Sequence, residues 1–94
     1  MTPGEILLED YMKPMGLTQN ALARALGGPP RRVNEIVHGK RVITLDTSLR
    51  LGRYFGQSPR FWLNVQTECD LRNAKQLVER IALEVHPMLG MVAA

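Results

Sequence analysis

The chain has 94 residues, of which 45% are hydrophobic and 22% charged, and its net charge is +3. These values are typical of one ordinary globular domain. Its single cysteine, Cys69, excludes an internal disulfide framework, and no apolar run is long enough to span a bilayer.

The first predicted helix starts near Pro3, because proline is tolerated in the first turn of a helix. Ile6, Leu7 and Tyr11 recur at helical spacing, and Pro14 and Gly16 are expected to end this helix.

Two further helices are predicted before residue 40. Thr18 is a suitable N-cap for the second helix, and Gly27 suits the left-handed residue that closes it. The third helix is expected to start at Pro29 or Pro30, where the missing N–H costs no hydrogen bond, and to end at Gly39.

The second half of the chain also has helical patterns. Thr44 is expected to cap a fourth helix, and Ser58-Pro59 suits the N-cap and first position of a fifth. The fifth helix is expected to run to about Val85, unless residues 71–73 mark a kink or the start of a sixth helix. Residues 88–94 are expected to be a frayed tail beyond Pro87, with Gly90 as a further stop signal. Apolar contacts from the fourth helix are expected of Leu45, Leu49, Leu51 and Phe55.

Residues 19–37 have the spacing of a helix-turn-helix, in which the second helix enters the major groove of DNA. Ala23 is small where two helices must approach closely, and Gly27 follows where the chain must turn. With no strand predicted, the fold class is all-α. We expect a five-helix, phage-repressor-like domain over residues 1–72 and a C-terminal helical extension over residues 73–94. The residues expected to pack the two helices together are Leu22, Leu26, Val33 and Ile36.

Basic residues concentrate in the middle of the chain. Residues 24–60 contain eight basic and two acidic residues, a net charge of +6, between mildly acidic ends. This distribution indicates a surface that binds a polyanion, although a solvated basic surface would give the same count. Three of these residues either extend the basic surface or are solvated, and the solvated interpretation is preferred; they are Arg50, Arg53 and Arg60.

The exposed face of the third helix is expected to carry Arg31, Asn34, Glu35 and His38. Arg31 and Arg32 lie at its N-terminus, where free N–H groups and the helix dipole favour a phosphate, and an arginine can also bind O6 and N7 of guanine. Asn34 suits adenine and Glu35 suits cytosine. An alternative for Glu35 is an ion pair with Arg31 or Arg32. His38 is interpreted as a solvated residue at the end of the helix, with a phosphate contact as the alternative.

Phosphate contacts are expected on either side of these base-reading residues. Thr18, Gln19 and Asn20 open the second helix, where backbone N–H groups are free, and Lys40 and Arg41 follow the third helix. A capping role for Thr18 is compatible with a DNA contact.

No catalytic, metal or cofactor site is predicted. The sequence has no nucleophile–base pair and no glycine-rich phosphate loop, and Cys69, His38 and His86 have no metal-binding spacing. The aromatic residues fall at apolar helical positions and are interpreted as core, not as a base-stacking platform. Without a signal-peptide pattern, the cytoplasm is the expected location.

Three runs together resemble HigA-type antitoxins, which are Xre-like helix-turn-helix proteins. They are PGEILLEDYMKPMGLTQNALARAL, PPRRVNEIVHGKRVITLDTSLRLGRYFG and SPRFWLNVQTECDLR, and they cover about residues 3–72. The resemblance implies five core helices and a homodimer that binds a palindromic operator in its own promoter. It also implies a partner, a ribosome-dependent mRNA-cleaving toxin of the HigB type, which the antitoxin neutralises.

The resemblance also implies roles for individual residues. The recognition helix would span residues 30–38, with Arg31, Arg32 and Asn34 near bases or phosphates. The DNA backbone would lie near Thr18, Gln19, Lys40 and Arg41. The dimer surface on the fifth helix would contain Phe61, Trp62 and Val65.

Residues 74–94 lie beyond this resemblance. They contain an apolar stripe at helical spacing, for which packing on the chain's own core is the simpler interpretation. The alternative is a contact with a second copy or with the toxin. The stripe consists of Ala74, Leu77, Val78, Ile81, Ala82 and Val85.

Two functions follow from the sequence: an antitoxin that represses its own operon, or a free-standing Xre-like repressor without a toxin. Both functions predict the same fold and the same DNA-binding surface. A small basic toxin gene directly upstream would distinguish them.

Overall fold

The computed structural model describes residues 1–89, which form six helices and no strand. The all-α prediction is therefore confirmed, and no helix in this part of the chain is long and apolar enough to cross a membrane. Helix α1 is a continuous helical segment over residues 3–15, with a π-helical section at Leu7–Met12. It continues through Pro14, so the stop expected there was wrong, and it ends at Gly16 in a left-handed conformation. The others are α2 (Gln19–Leu26), α3 (Pro30–Val37), α4 (Leu45–Phe55), α5 (Phe61–Arg72) and α6 (Lys75–Glu84).

The first turn of α1 packs directly on the end of α3. Thr2 caps α1, and its Oγ1 accepts a hydrogen bond of 3.2 Å from the Glu5 N–H. Gly4 is buried in this contact. A Cβ at Gly4 would overlap the carbonyl oxygen of Ile36 and lie 2.7 Å from its carbonyl carbon. The approach of the two backbones therefore requires a glycine at this position.

The core is apolar and draws on α1 to α5. Trp62 is its largest fully buried side chain, with Tyr11, Phe55 and Phe61 packed around it. The other members include Leu7, Met12, Leu22, Ala23, Val33, Ile36, Ile43 and Leu51.

Two of the apolar contacts expected from α4 were wrong. Leu51 is fully buried and Phe55 is half-buried, but Leu45 and Leu49 are 61% and 45% exposed. Only one face of α4 meets the core, and Leu45 and Leu49 lie outside it.

The start of α5 differs from the prediction at Ser58-Pro59. The helix begins at Phe61, and Arg60 at the N-cap position makes no side-chain capping bond. The Ser58 Oγ does accept from the Arg60 N–H (3.2 Å), as an N-cap hydroxyl would. A second bond comes from Ser48 of α4, whose Oγ accepts from the Leu63 N–H (3.1 Å) and donates to the Pro59 carbonyl (3.0 Å). A buried hydroxyl of one helix therefore supplies the missing bond at the start of the next.

Helix α6 extends away from the other helices. The helix is interrupted at Asn73 and Ala74, so residues 71–73 do precede a separate sixth helix. Residues 1–89 measure 53 × 23 × 22 Å, with a radius of gyration of 16.7 Å. A compact chain of this length would have a radius of gyration of about 12 Å.

The expectation that the stripe on α6 packs on the chain's own core was wrong. Leu77, Val78, Ile81 and Val85 are 44–63% exposed, and α6 makes no extensive contact with another helix of the described chain. The helix ends at Glu84, before Pro87. The stop predicted at Gly90 and the last five residues of the tail lie outside the described residues.

Candidate nucleic-acid interface

Helices α2 and α3 form a helical hairpin with a tight turn. Gly27 takes a left-handed conformation (φ 72°), and the Gly28 N–H donates to the Ala23 carbonyl (3.1 Å). Ala23 and Val33 are buried between the two helices. The small residue, the turn glycine and the apolar positions therefore have the roles that the helix-turn-helix spacing predicted.

A side-chain hydrogen bond links the start of α2 to the middle of α3. The Nδ2 of Asn34 donates to the Oε1 of Gln19 over 2.9 Å. This bond fixes the side chains of two predicted DNA-contacting residues relative to each other. The 15 residues between them fit no local spacing rule, so the sequence alone gave no signal for this pairing.

Glu35 lies between two arginines. Its Oε1 is 3.6 Å from the Arg31 Nε and 3.2 Å from the Arg41 Nη2. The ion pair considered for Glu35 is therefore formed with Arg31 and not with Arg32. We call these three residues the Glu35 cluster.

Arg32 and Arg50 share a second acidic residue, Asp46. The Nη1 of Arg32 is 3.6 Å from the Asp46 Oδ1, and the Nε of Arg50 donates to the same oxygen over 2.7 Å. The hydrogen bond from Arg50 holds the pKa of Asp46 below its usual value. Arg50 also donates to the Leu26 carbonyl (2.8 Å), so this residue, although exposed as expected, is held in place by the protein.

The remaining predicted contacts lie on the surface near the two ends of the hairpin. Thr18 caps α2 by accepting from the Ala21 N–H (3.0 Å), and its own hydroxyl proton stays available to a phosphate. The His38 Nδ1 lies 2.8 Å from the Asn34 carbonyl oxygen at the end of α3. The other exposed residues of this set are Asn20, Lys40 and Arg41.

Trp62 does not belong to a dimer surface. Its side chain is 0% exposed, and its Nε1 donates to the Gln57 Oε1 over 2.7 Å within the core. Phe61 and Val65 are half-buried and line an open groove beside Ile6. Of the three residues predicted for a dimer contact, Trp62 is therefore corrected to a core residue.

The chain matches the helix-turn-helix family HTH_3 over residues 8–62. Virulence-associated protein I of Dichelobacter nodosus is 60% identical to it over 74 residues, covering 79% of this chain and 68% of that protein. Antitoxin HigA-1 of Vibrio cholerae serotype O1 is 34% identical over 85 residues, covering 90% of this chain and 80% of that protein.

A solved structure of an antitoxin is also similar to this chain. The Pseudomonas aeruginosa antitoxin HigA, solved with the higBA promoter, has a TM-score of 0.86 and 40% identity, over 95% of this chain and 98% of that one. The chain therefore belongs to the Xre-like helix-turn-helix family and, within it, to the HigA-type antitoxins. The resemblance seen in the sequence is confirmed, and because this family consists of DNA-binding regulators, the protein is not an enzyme.

Proposed function

We propose that this chain is the antitoxin of a toxin–antitoxin pair, which binds and neutralises a HigB-like mRNA-cleaving toxin and represses its own operon as a dimer. The observation that carries this proposal is the solved complex of the Pseudomonas aeruginosa HigA with the higBA promoter, from a chain that aligns over 95% of this one. The exposed basic residues at both ends of α3 supply the charge that a duplex would meet. Its site of action would be the cytoplasm.

In the proposed complex, α3 is the recognition helix. Each protomer of a dimer would place α3 in a major groove, with the two grooves about 34 Å apart. Arg31, Arg32 and Asn34 would face bases or nearby phosphates. The phosphate contacts would come from Thr18, Gln19, Asn20, His38, Lys40 and Arg41.

Two measurements test the proposal. The purified protein should bind its own upstream DNA in a gel-shift assay, and it should co-purify with the product of the adjacent gene when the two are co-expressed. DNA binding without a toxin partner would favour the alternative, a free-standing Xre-like repressor. Failure to bind the upstream DNA would contradict both functions.

Replacement of Arg31 by alanine should weaken binding to the operator by roughly 1–3 kcal/mol and relax the preference at one base. Arg31 is suited to this role because its side chain is 85% exposed at the first turn of α3. Lys40→Ala is the matched comparison, because a lost phosphate contact should weaken all sequences similarly and flatten the dependence on salt. Fluorescence anisotropy with operator and single-base variants measures both effects. An Arg31→Ala protein that is folded and binds as the wild type does would rule out base reading by Arg31.

For the dimer, we propose the groove beside α5 that Phe61 and Val65 line. It extends to the end of α5, since Arg72 also lines it. The exposed apolar stripe of α6 is proposed as a protein contact, either within the dimer or with the toxin.

Deletion of residues 74–94 tests the role of α6. Because α6 makes no extensive contact with another helix of the described chain, the shortened protein should keep its fold. It should lose dimerisation in analytical ultracentrifugation or lose toxin binding in a pull-down, and the lost activity identifies the contact. A shortened protein that retains both activities would contradict a role for α6 in either contact.

A further inference from the structure

The Glu35 cluster has an unusual arrangement for a surface proposed to bind DNA. The acidic member is the inner one, since the Glu35 side chain is 23% exposed while Arg31 and Arg41 are 85% and 45% exposed. Glu35 is thus held behind two arginines and not presented in front of them. A carboxylate that reads cytosine must instead offer an oxygen to the N4 amine in the groove.

Glu35 connects two arginines with different expected tasks. Arg31 lies at the start of α3, where a base would be read, and Arg41 lies in the loop after α3, where a phosphate would be met. One carboxylate oxygen is within 4 Å of both guanidinium groups. It therefore restrains both side chains and cancels part of their charge.

The acidic residues of the basic segment also oppose the charge of the recognition helix. Residues 24–60 contain only two acidic residues, Glu35 and Asp46. Glu35 pairs with Arg31, and Asp46 pairs with Arg32. Both arginines in the first turn of the recognition helix are therefore opposed by a carboxylate.

A carboxylate beside these arginines affects the affinity for cognate and for non-cognate DNA differently. Non-specific binding depends almost entirely on neutralised phosphates, so each partly cancelled cation lowers it. Specific binding adds contacts to base edges, which a cancelled net charge does not remove. Specificity is a difference between two affinities, and weakening the wrong complex increases it.

We propose that Glu35 is a positioning residue that sets specificity by restraining Arg31 and Arg41 and by suppressing binding to non-cognate DNA. This inference rests on the proposed function as an operator-binding protein. Glu35 acts through the two arginines and reads no base itself.

The test compares the wild-type protein with Glu35→Gln on two duplexes, its own upstream DNA and a scrambled duplex of equal length and composition. Binding is measured by fluorescence anisotropy across a series of salt concentrations. For Glu35→Gln, the affinity for the scrambled duplex should rise about fivefold at low salt, and the slope of log K against log salt should steepen by about 0.9. The affinity for the upstream DNA should change less, so the ratio of the two affinities should fall.

Glu9→Gln is the matched control. It changes the net charge by the same amount and also breaks an exposed ion pair, with Lys13 at 2.8 Å, but it lies on α1 outside the helical hairpin. The affinity ratio of Glu9→Gln should equal that of the wild type. Glu35→Asp, which keeps the charge, should stay closer to the wild type than Glu35→Gln does. Should Glu35→Gln fail to fold, Glu35→Ala, which removes the same charge, takes its place in the experiment.

Three results would overturn the inference. The first is a loss of upstream-DNA binding by Glu35→Gln with the scrambled duplex unaffected, which would make Glu35 a base reader. The second is an affinity ratio of Glu35→Gln equal to that of the wild type. The third is a change in the affinity ratio of the Glu9→Gln control as large as that of Glu35→Gln. A wild-type protein that does not distinguish the two duplexes is a different result, because it contradicts the proposed function as well.

Discussion

Replacement of Trp62 by alanine is expected to lower the free energy of unfolding by about 3–5 kcal/mol. Trp62 is fully buried, and its ring centroid lies 5.0 Å from that of Tyr11 and 5.3 Å from that of Phe61. It thereby joins α1 to α5, and alanine would leave a large cavity at this junction. A domain of this size has a total stability of about 5–15 kcal/mol, so the variant should be partly or wholly unfolded.

The indole N–H adds a polar component to this site. It donates to the Gln57 Oε1, and the Gln57 Nε2 donates in turn to the Tyr11 hydroxyl over 3.0 Å. Trp62→Phe keeps most of the ring volume but leaves the Gln57 oxygen without its donor, and should cost about 1–3 kcal/mol.

Thermal and urea unfolding, followed by circular dichroism, measure these losses. Tyr54→Ala is the matched control, because this aromatic side chain is 42% exposed and its truncation should cost much less. Equal losses for Trp62→Ala and Tyr54→Ala would show that Trp62 is not the main packing residue of the core.

The second large effect is expected at Gly4. The methyl group of Gly4→Ala would overlap the backbone carbonyl of Ile36, which cannot rotate away as a side chain can. Helix α1 must therefore move relative to α3, at an expected cost of about 1–3 kcal/mol or more. Because α3 is the proposed recognition helix, operator affinity should fall together with stability.

Gly28→Ala provides the control for this substitution. A Cβ at Gly28 would meet only the end of the flexible Arg32 side chain, at 3.5 Å. Alanine there should be neutral or slightly stabilising, because it restricts the unfolded chain. The same melting temperature for Gly4→Ala and the wild type would mean that α1 and α3 do not pack as closely as the structure shows.

The sequence predicted the features that depend on neighbouring residues. Thr18 and Thr44 cap α2 and α4, and Gly27 ends α2 in a left-handed conformation. Each of these signals acts within one helical turn, so the residue types alone specify it. The helix-turn-helix follows from the same local signals together with the apolar spacing.

The features that the sequence did not predict depend on distant residues. Ser58 accepts from the Arg60 N–H as its sequence position suggested, but the Leu63 N–H is bound by Ser48, 15 residues before it. Arg50 was interpreted as solvated, because nothing in its neighbourhood indicated the carbonyl of Leu26, 24 residues away. Tertiary packing decides such pairings, and no local pattern records them.

For the stripe on α6, the periodicity was predicted correctly and its surroundings were not. Leu77, Val78 and Ile81 do lie on a helix, but nothing in the described chain covers them. An amphipathic pattern shows that a helix has an apolar side, and it does not show which molecule covers that side. In the same way, the sequence could place Arg31 and Glu35 on one helical face, while the connection through Arg41 required the structure.

The hydroxyl of Ser48 also affects how α5 exchanges its amide protons with solvent. Amides in the first turn of a helix usually exchange quickly, because no carbonyl of that helix accepts from them. The Leu63 N–H is instead held by α4. Its deuterium uptake should therefore report the separation of α4 from α5, a larger opening of the domain than the fraying of one helix end.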